Sequence, residues 1–273
     1  MSRKFSLAYL TIPGTGVVEH IRIAAEAGYD MVSLRTIPMH LPNEPLFIME
    51  KDAALFNATK AALREYGLGL NDIELARVRG DLHIEEYKPA FEKGAELGAR
   101  NVLSSIWCKD KPYIYEQFGR ICDMAAEYDM TVNLEFVTFA GVTDVREALD
   151  VLHTVARPNA RLMVDTLHAH RSRVTAAELA AVPRELFGFI HLCDGPGPIP
   201  ALDDPSMIGV AREGRLYIGA GGVDIAGMLK AMPANDVSIE LPNSAEMSAR
   251  GAAGHAAECL RSAKAYFAAH NID

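Results

Sequence analysis

Short apolar, β-branched runs alternate along this chain with longer amphipathic runs rich in alanine. A short run that is apolar throughout suits a strand buried on both faces, as in a parallel sheet. Eight such runs are predicted as strands: Phe5–Ile12, Asp30–Arg35, Leu68–Leu75, Asn101–Ile106, Thr131–Phe136, Arg161–Thr166, Gly188–Cys193 and Val237–Leu241. Helices are predicted between them, over Val18–Ala27, Asp52–Tyr66, Glu85–Leu97, Tyr113–Tyr128, Asp144–Val155, Ala176–Ala181 and Asp224–Ala231, with a last one over Ala245–Ala269. Gly28, Gly67 and Gly98 follow three of these helices and act as stop signals.

The unit of helix end, glycine and strand recurs, as in "EAGYD", "REYGLGL" and "ELGARNV". Eight βα units favour a closed α/β architecture, the (β/α)8 or TIM barrel, over an open doubly wound sheet. The length of 273 residues fits one such barrel, typically roughly 250 residues. No linker or shift in composition divides the chain, so a single domain over residues 1–273 is expected. Two connections are long. Thr36–Lys51 carries Pro38, Pro42 and Pro45, and Asp194–Gly222 is rich in Gly and Pro. Both follow strands, so both fall on the C-terminal face, where long loops serve as lids or binding loops.

Composition changes this picture little. Apolar residues make up 49% of the chain, as in ordinary globular proteins. The net charge of −9 comes with no basic face, which argues against a nucleic-acid partner. Cys108, Cys122, Cys193 and Cys259 form no CxxC pair and no disulfide framework, as in a reducing compartment. No run is long and apolar enough for a signal peptide or a membrane span. The expectation is a cytoplasmic protein with no membrane partner.

The candidate chemistry sits at the ends of the last four strands. Each is an apolar run closing on one ionisable residue: Glu135, Asp165, His191 and Glu240. A closed barrel brings such ends to one mouth. Three carboxylates gathered there repel one another unless a cation compensates them. Oxygen-rich ligation with one imidazole suits Mn²⁺, Mg²⁺ or Co²⁺, and Zn²⁺ also accepts it. Taken singly, each carboxylate reads as well as a helix cap or loop ion pair, and His191 as a structural histidine. Four in register point to one divalent metal ion, with Mn²⁺ the first choice.

The chain resembles the xylose-isomerase-like barrel superfamily, which includes sugar epimerases, inosose and 3-dehydroshikimate dehydratases, hydroxypyruvate isomerases and metal-dependent apurinic endonucleases. The resemblance runs through the eight-unit pattern and is most specific in "NLEF" (133–136), "MVDTLHAHRS" (163–172), "FIHLCDG" (189–195), "EGRLYIGAGGVDI" (213–225) and "SIELP" (238–242). It implies Glu135, Asp165, His191 and Glu240 as metal ligands and His168 as a substrate contact. It also implies Glu135 and Glu240 as the acid/base pair, working from opposite faces of the substrate. The family's Gly-rich turn is matched loosely by Gly219-Ala220-Gly221-Gly222, with Gly222 where a carboxylate is usual. The endonuclease branch fits poorly, because it needs more histidines and a DNA-binding face.

A metal on a carbonyl and its neighbouring hydroxyl acts as a Lewis acid and favours loss of the α proton to an enediolate. Returning that proton elsewhere isomerises or epimerises a small sugar or polyhydroxylated keto acid. Expelling a β-hydroxyl instead makes the enzyme a dehydratase, a lyase of the inosose or 3-dehydroshikimate type. A non-catalytic sugar-binding barrel that keeps a structural metal is the alternative outside enzymes. Further substrate contacts are expected from Arg35, Glu74, Arg171 and Arg215, since arginine suits carboxylate or phosphate. Against this, Arg35 and Glu74 also read as a mutual ion pair, and Arg171 and Arg212 as solvated loop charges. Trp107 is placed at the mouth or in packing, and Asp194 beside His191 is expected to orient a ligand. Barrels of this type often self-associate, and the Ala-rich last helix offers a surface on which copies of a homo-oligomer could pack.

Overall fold

Eight strands pair in parallel in chain order and the eighth closes on the first. They are β1 (Phe5–Leu7), β2 (Met31–Arg35), β3 (Gly69–Val78), β4 (Asn101–Ile106), β5 (Thr131–Glu135), β6 (Ala160–Asp165), β7 (Phe187–Leu192) and β8 (Val237–Ile239). The ring removes the alternative of an open sheet. Around it run α1 (Val17–Ala27), α2 (Ala53–Tyr66), α3 (Lys88–Glu96), α4 (Lys111–Ala126), α5 (Val145–Val155), α6 (Thr166–Arg171), α7 (Ala176–Ala180), α8 (Ser206–Glu213), α9 (Ile225–Ala231) and α10 (Ser244–His270). This computed structural model describes residues 3–39, 46–81 and 83–273, so Pro42 and Pro45 of the second connection lie outside the described residues.

Helix ends follow local chemistry. Asp52, Asp110, Asp144, Asp165, Asp224 and Asn243 each accept a backbone N–H in the first turn of the helix they precede. Gly28 and Gly67 end α1 and α2 at φ 89° and 67°, a left-handed conformation that costs glycine little. Most apolar helix faces pack on the outside of the barrel, where Phe91 and Phe118 are fully buried. Burying a side chain of that size contributes about 1.5–3 kcal/mol. Among the described residues no helix is long and apolar enough to cross a membrane.

The structure departs from the sequence reading where the chain turns early. β1 ends at Leu7, because Tyr9–Thr11 form a 3₁₀ turn over the mouth. β6 passes straight into α6, a short helix that strand periodicity does not announce. α8 lies inside the seventh connection, and α10 is bent at Gly251 (φ 68°, ψ 169°) rather than running straight. In β3 the register against β4 shifts between Ile73 and Ala76, so Glu74 and Leu75 both reach the mouth.

Candidate metal centre

Strand side chains alternate between faces, so the residue two places before each polar strand end also points inward. Met163 and Phe189, two places before Asp165 and His191, join Leu75 and Leu103 in an apolar plug inside the barrel. Above it, β5, β6 and β7 deliver Glu135, Asp165 and His191, and Glu240 follows β8 directly. All four are buried, and one oxygen or nitrogen from each lies within 4.8 Å of the others. His191 Nδ1 is 3.4 Å from Glu240 Oε2, 3.9 Å from Glu135 Oε1 and 4.0 Å from Asp165 Oδ2.

Backbone contacts fix these groups. Asp165 Oδ1 accepts N–H bonds from Leu167 (2.8 Å) and His168 (3.0 Å) as the cap of α6, which leaves Oδ2 turned to the cluster. Glu240 is gripped from three sides. Its N–H donates to the Leu192 carbonyl at 3.2 Å. The Thr11 hydroxyl donates to the Ile239 carbonyl (2.7 Å) and accepts from Leu241 N–H (3.0 Å). His255 Nε2 lies 2.9 Å from the Leu241 carbonyl oxygen.

The cluster fits a divalent ion on three observations. Ligands about 2.0–2.2 Å from one ion are separated by roughly 3.0–4.4 Å, close to the spacing here. Glu135 Oε1 and both ring nitrogens of His191 are buried and make no hydrogen bond among the described residues. Finally, three carboxylates and an imidazole form a donor set for Mn²⁺, Mg²⁺, Co²⁺ or Zn²⁺.

Arg215 belongs to the same cluster. Its Nη1 is 2.5 Å from Asp165 Oδ2 and its Nη2 is 2.8 Å from Glu240 Oε2, with Nε donating to the Ala211 carbonyl at 2.9 Å. The main chain holds it there. Arg215 N–H donates to the Pro242 carbonyl (3.1 Å), and the next residue, Leu216, pairs with Asp194 through two backbone bonds of 3.0 and 2.9 Å. With His191 neutral, three carboxylates, one guanidinium and one divalent ion sum to zero charge.

The protein's own charges set the ionisation of the group. Burial, then the neighbouring Glu240, pushes Glu135 well above the usual carboxylate range. Burial also opposes charge on Glu240 and Asp165. His191 and Arg215 outweigh it at Glu240, and Arg215 and His168 at Asp165, so both stay below that range. Burial lowers His191, but Glu240, Glu135 and Asp165 together push it up to about 10. His168, buried away from solvent, falls to about 4 and is neutral near pH 7.

A cavity of about 570 Å³, open to solvent, lies over the cluster. Of the four cluster residues, Glu135 and Glu240 line it, while Asp165 and His191 stand behind them. Arg35, Glu74, His168 and Arg215 line it too. Arg35 Nη2 is 3.0 Å from Glu74 Oε2, so these two form the mutual ion pair at the mouth itself. Arg171 is elsewhere: its guanidinium is buried against Met207 Sδ at 3.8 Å and does not line the cavity. Asp194 also departs from expectation. Rather than orienting a cluster ligand, its carboxylate accepts N–H bonds of 2.8–3.1 Å from Gly195, Gly219, Gly221 and Val223. A Cβ on Gly221 would fall 2.2 Å from the Gly195 carbonyl oxygen, so the Gly-rich turn is shaped to wrap Asp194.

Several cavity residues were not expected. Leu10, Met39, Val137 and Phe139 build an apolar wall with Trp107, whose Nε1 donates to Ser105 Oγ at 2.8 Å. Below the cluster, Asp72 is fully buried and accepts from Asn71 (2.7 Å) and from Ser33, whose hydroxyl also meets Ser6 and Ser238, and burial, then Glu74, raises it to about 7. One signal in the sequence was usable: Asp72 stands two residues before Glu74, on the same strand face.

The chain matches the sequence profile of the xylose isomerase-like TIM barrel family over residues 21–263 and belongs to that family. Among curated relatives, an inosose isomerase of Bacillus velezensis is 24% identical over 253 residues, 85% of each chain. Among solved structures, an IolI protein with a bound zinc atom superposes at TM-score 0.82 with 19% identity, covering 98% of this chain and 99% of that one. D-Allulose 3-epimerase from Methylomonas sp., in complex with D-allulose, superposes at TM-score 0.72 with 18% identity, covering 97% and 98%.

Proposed function

We propose that this chain is a divalent-metal-dependent isomerase or epimerase of a small sugar or polyhydroxylated keto acid. The observation that carries the reading is the division of labour in the cluster: Glu135 and Glu240 face the cavity, and Asp165 and His191 do not. A purely structural site has no need to expose two carboxylates to a solvent-open pocket. A divalent ion held by the four side chains, Mn²⁺ first, supplies Lewis acidity toward a carbonyl and the hydroxyl beside it.

The chain does the rest. Glu135 and Glu240 flank the bound carbon; one takes the α proton and the other returns a proton to the enediolate of the substrate. Arg215 holds Asp165 and Glu240 in place and balances their charge. Neutral His168 offers a hydrogen bond rather than a charge to a substrate oxygen. The names of the similar proteins, an inosose isomerase and an allulose epimerase, support chemistry of this kind on a sugar.

The test is solvent isotope exchange. Protein stripped with chelator and reloaded with Mn²⁺ should move solvent deuterium into the carbon next to the carbonyl of a ketose or inosose, and the stripped protein should not. Exchange followed by a new ultraviolet-absorbing enone marks the dehydratase variant. Absence of exchange with every ketose, inosose and keto acid tried would sink the enzymatic reading and favour a sugar-binding barrel.

A further inference from the structure

We propose that Glu74, held by Arg35, reads a substrate hydroxyl beside Glu240, and that this pair selects a neutral polyol over one bearing a carboxylate or phosphate. The inference rests on the isomerase or epimerase reading for the identity of the cavity and narrows its substrate class.

Arg35 and Glu74 end up side by side because the β2–β3 register pairs them across the ladder. The register shift that follows Ile73 turns Glu74 and Leu75 together into the cavity. Arg35 Nη2 holds Glu74 Oε2 at 3.0 Å, and the Arg35 guanidinium stands 4.6 Å over the Tyr9 ring. Both partners are almost fully buried. The second carboxylate oxygen, Glu74 Oε1, is buried with no hydrogen-bond donor among the described residues. A buried acceptor of that kind is costly unless a donor meets it. A hydroxyl is the donor a polyol brings.

Charge points the same way. The metal cluster with Arg215 is neutral once a divalent ion is in place, and Arg35 is already matched by Glu74. Among the described residues, an anionic substrate end in the inner cavity would therefore meet Glu74 and Glu240 without a cation of its own. Arg171 does not line the cavity, and Arg212 lines it only at an exposed position, where solvent and salt screen its charge.

The experiment is calorimetric titration of the Mn²⁺-loaded protein with D-fructose, scyllo-inosose and 2-keto-D-gluconate, with circular dichroism to check that each variant is folded. At least one neutral probe should bind the parent protein more tightly than the keto acid. Glu74→Ala should weaken that neutral probe about 10- to 100-fold, the worth of a hydrogen bond to a charged group. Glu74→Gln keeps the shape and removes one of the two negative charges that an anionic substrate end would meet, so it should improve binding of the keto acid by about tenfold. A merely structural Glu74 does not predict that reversal. The inference is overturned by neutral binding that ignores both substitutions, by a keto acid preferred in the parent protein, or by no neutral probe binding at all. Deuterium exchange on the same samples separates the two claims. Exchange that is indifferent to Glu74 leaves the proposed function standing alone. Binding through Glu74 without exchange leaves this inference standing alone.

Discussion

Glu240→Gln should lower the rate of α-proton exchange by about 10²–10⁴-fold at saturating Mn²⁺, the range of a positioned acid or base. The substitution keeps the side-chain shape and one ligating oxygen but removes the basic oxygen that faces the cavity. Because Glu240 also belongs to the cluster, the rate must be read with metal occupancy measured on the same sample. Glu135→Gln is the partner experiment. If the two carboxylates act from opposite faces, each variant loses exchange with one of two epimers far more than with the other. Equal losses on both epimers would argue for one base and against the two-sided mechanism. An unchanged rate in Glu240→Gln with metal bound would remove Glu240 from the chemistry.

Arg215→Met should destabilise the metal-free protein by about 3–5 kcal/mol, the usual result of breaking a buried ion pair from one side. In thermal melting that amounts to a loss on the order of 10 °C for a chain of this size. The guanidinium is the cation within hydrogen-bond reach of both Asp165 and Glu240, at 2.5 and 2.8 Å. Without it, the protonated His191 of the metal-free cluster is left facing both Asp165 and Glu240, and the remaining buried negative charge must be neutralised by a proton or by metal. Methionine retains most of the apolar stem, so the loss reports charge more than packing. Added Mn²⁺ should raise the melting temperature of the variant more than that of the parent. A variant whose metal-free melt matches the parent would mean that the guanidinium is not needed to hold the carboxylates together.

The ring and its mouth were legible because barrel strands carry their signal locally. "NLE", "MVD", "FIH" and "SIE" are apolar runs that stop on an ionisable residue, and the eight-unit period says the stops share one face. From its loop position Arg215 reads as a substrate contact, yet it is embedded between Asp165 and Glu240. Its place depends on backbone pairing of Asp194 with Leu216 and of Arg215 with Pro242, contacts between segments that no local pattern encodes. Arg171 failed to reach the cavity for a related reason. α6 begins at the cap Asp165, and the helical turn carries residue 168 to the mouth and residue 171 toward α8. Helix α6 itself was hidden because its first residues extend the strand pattern. Asp72 is inconspicuous in the sequence because a lone acidic residue inside a strand reads as an exposed position until the barrel closes over it.

The proposed chemistry depends on Glu135, Asp165, His191 and Glu240 holding a single divalent cation. Calorimetric titration of chelator-treated protein with Mn²⁺ tests it most directly. One ion should bind per chain, with binding lost in His191→Ala and strongly weakened in Asp165→Asn. Parent protein that takes up no ion, or variants that bind Mn²⁺ as the parent does, would contradict it.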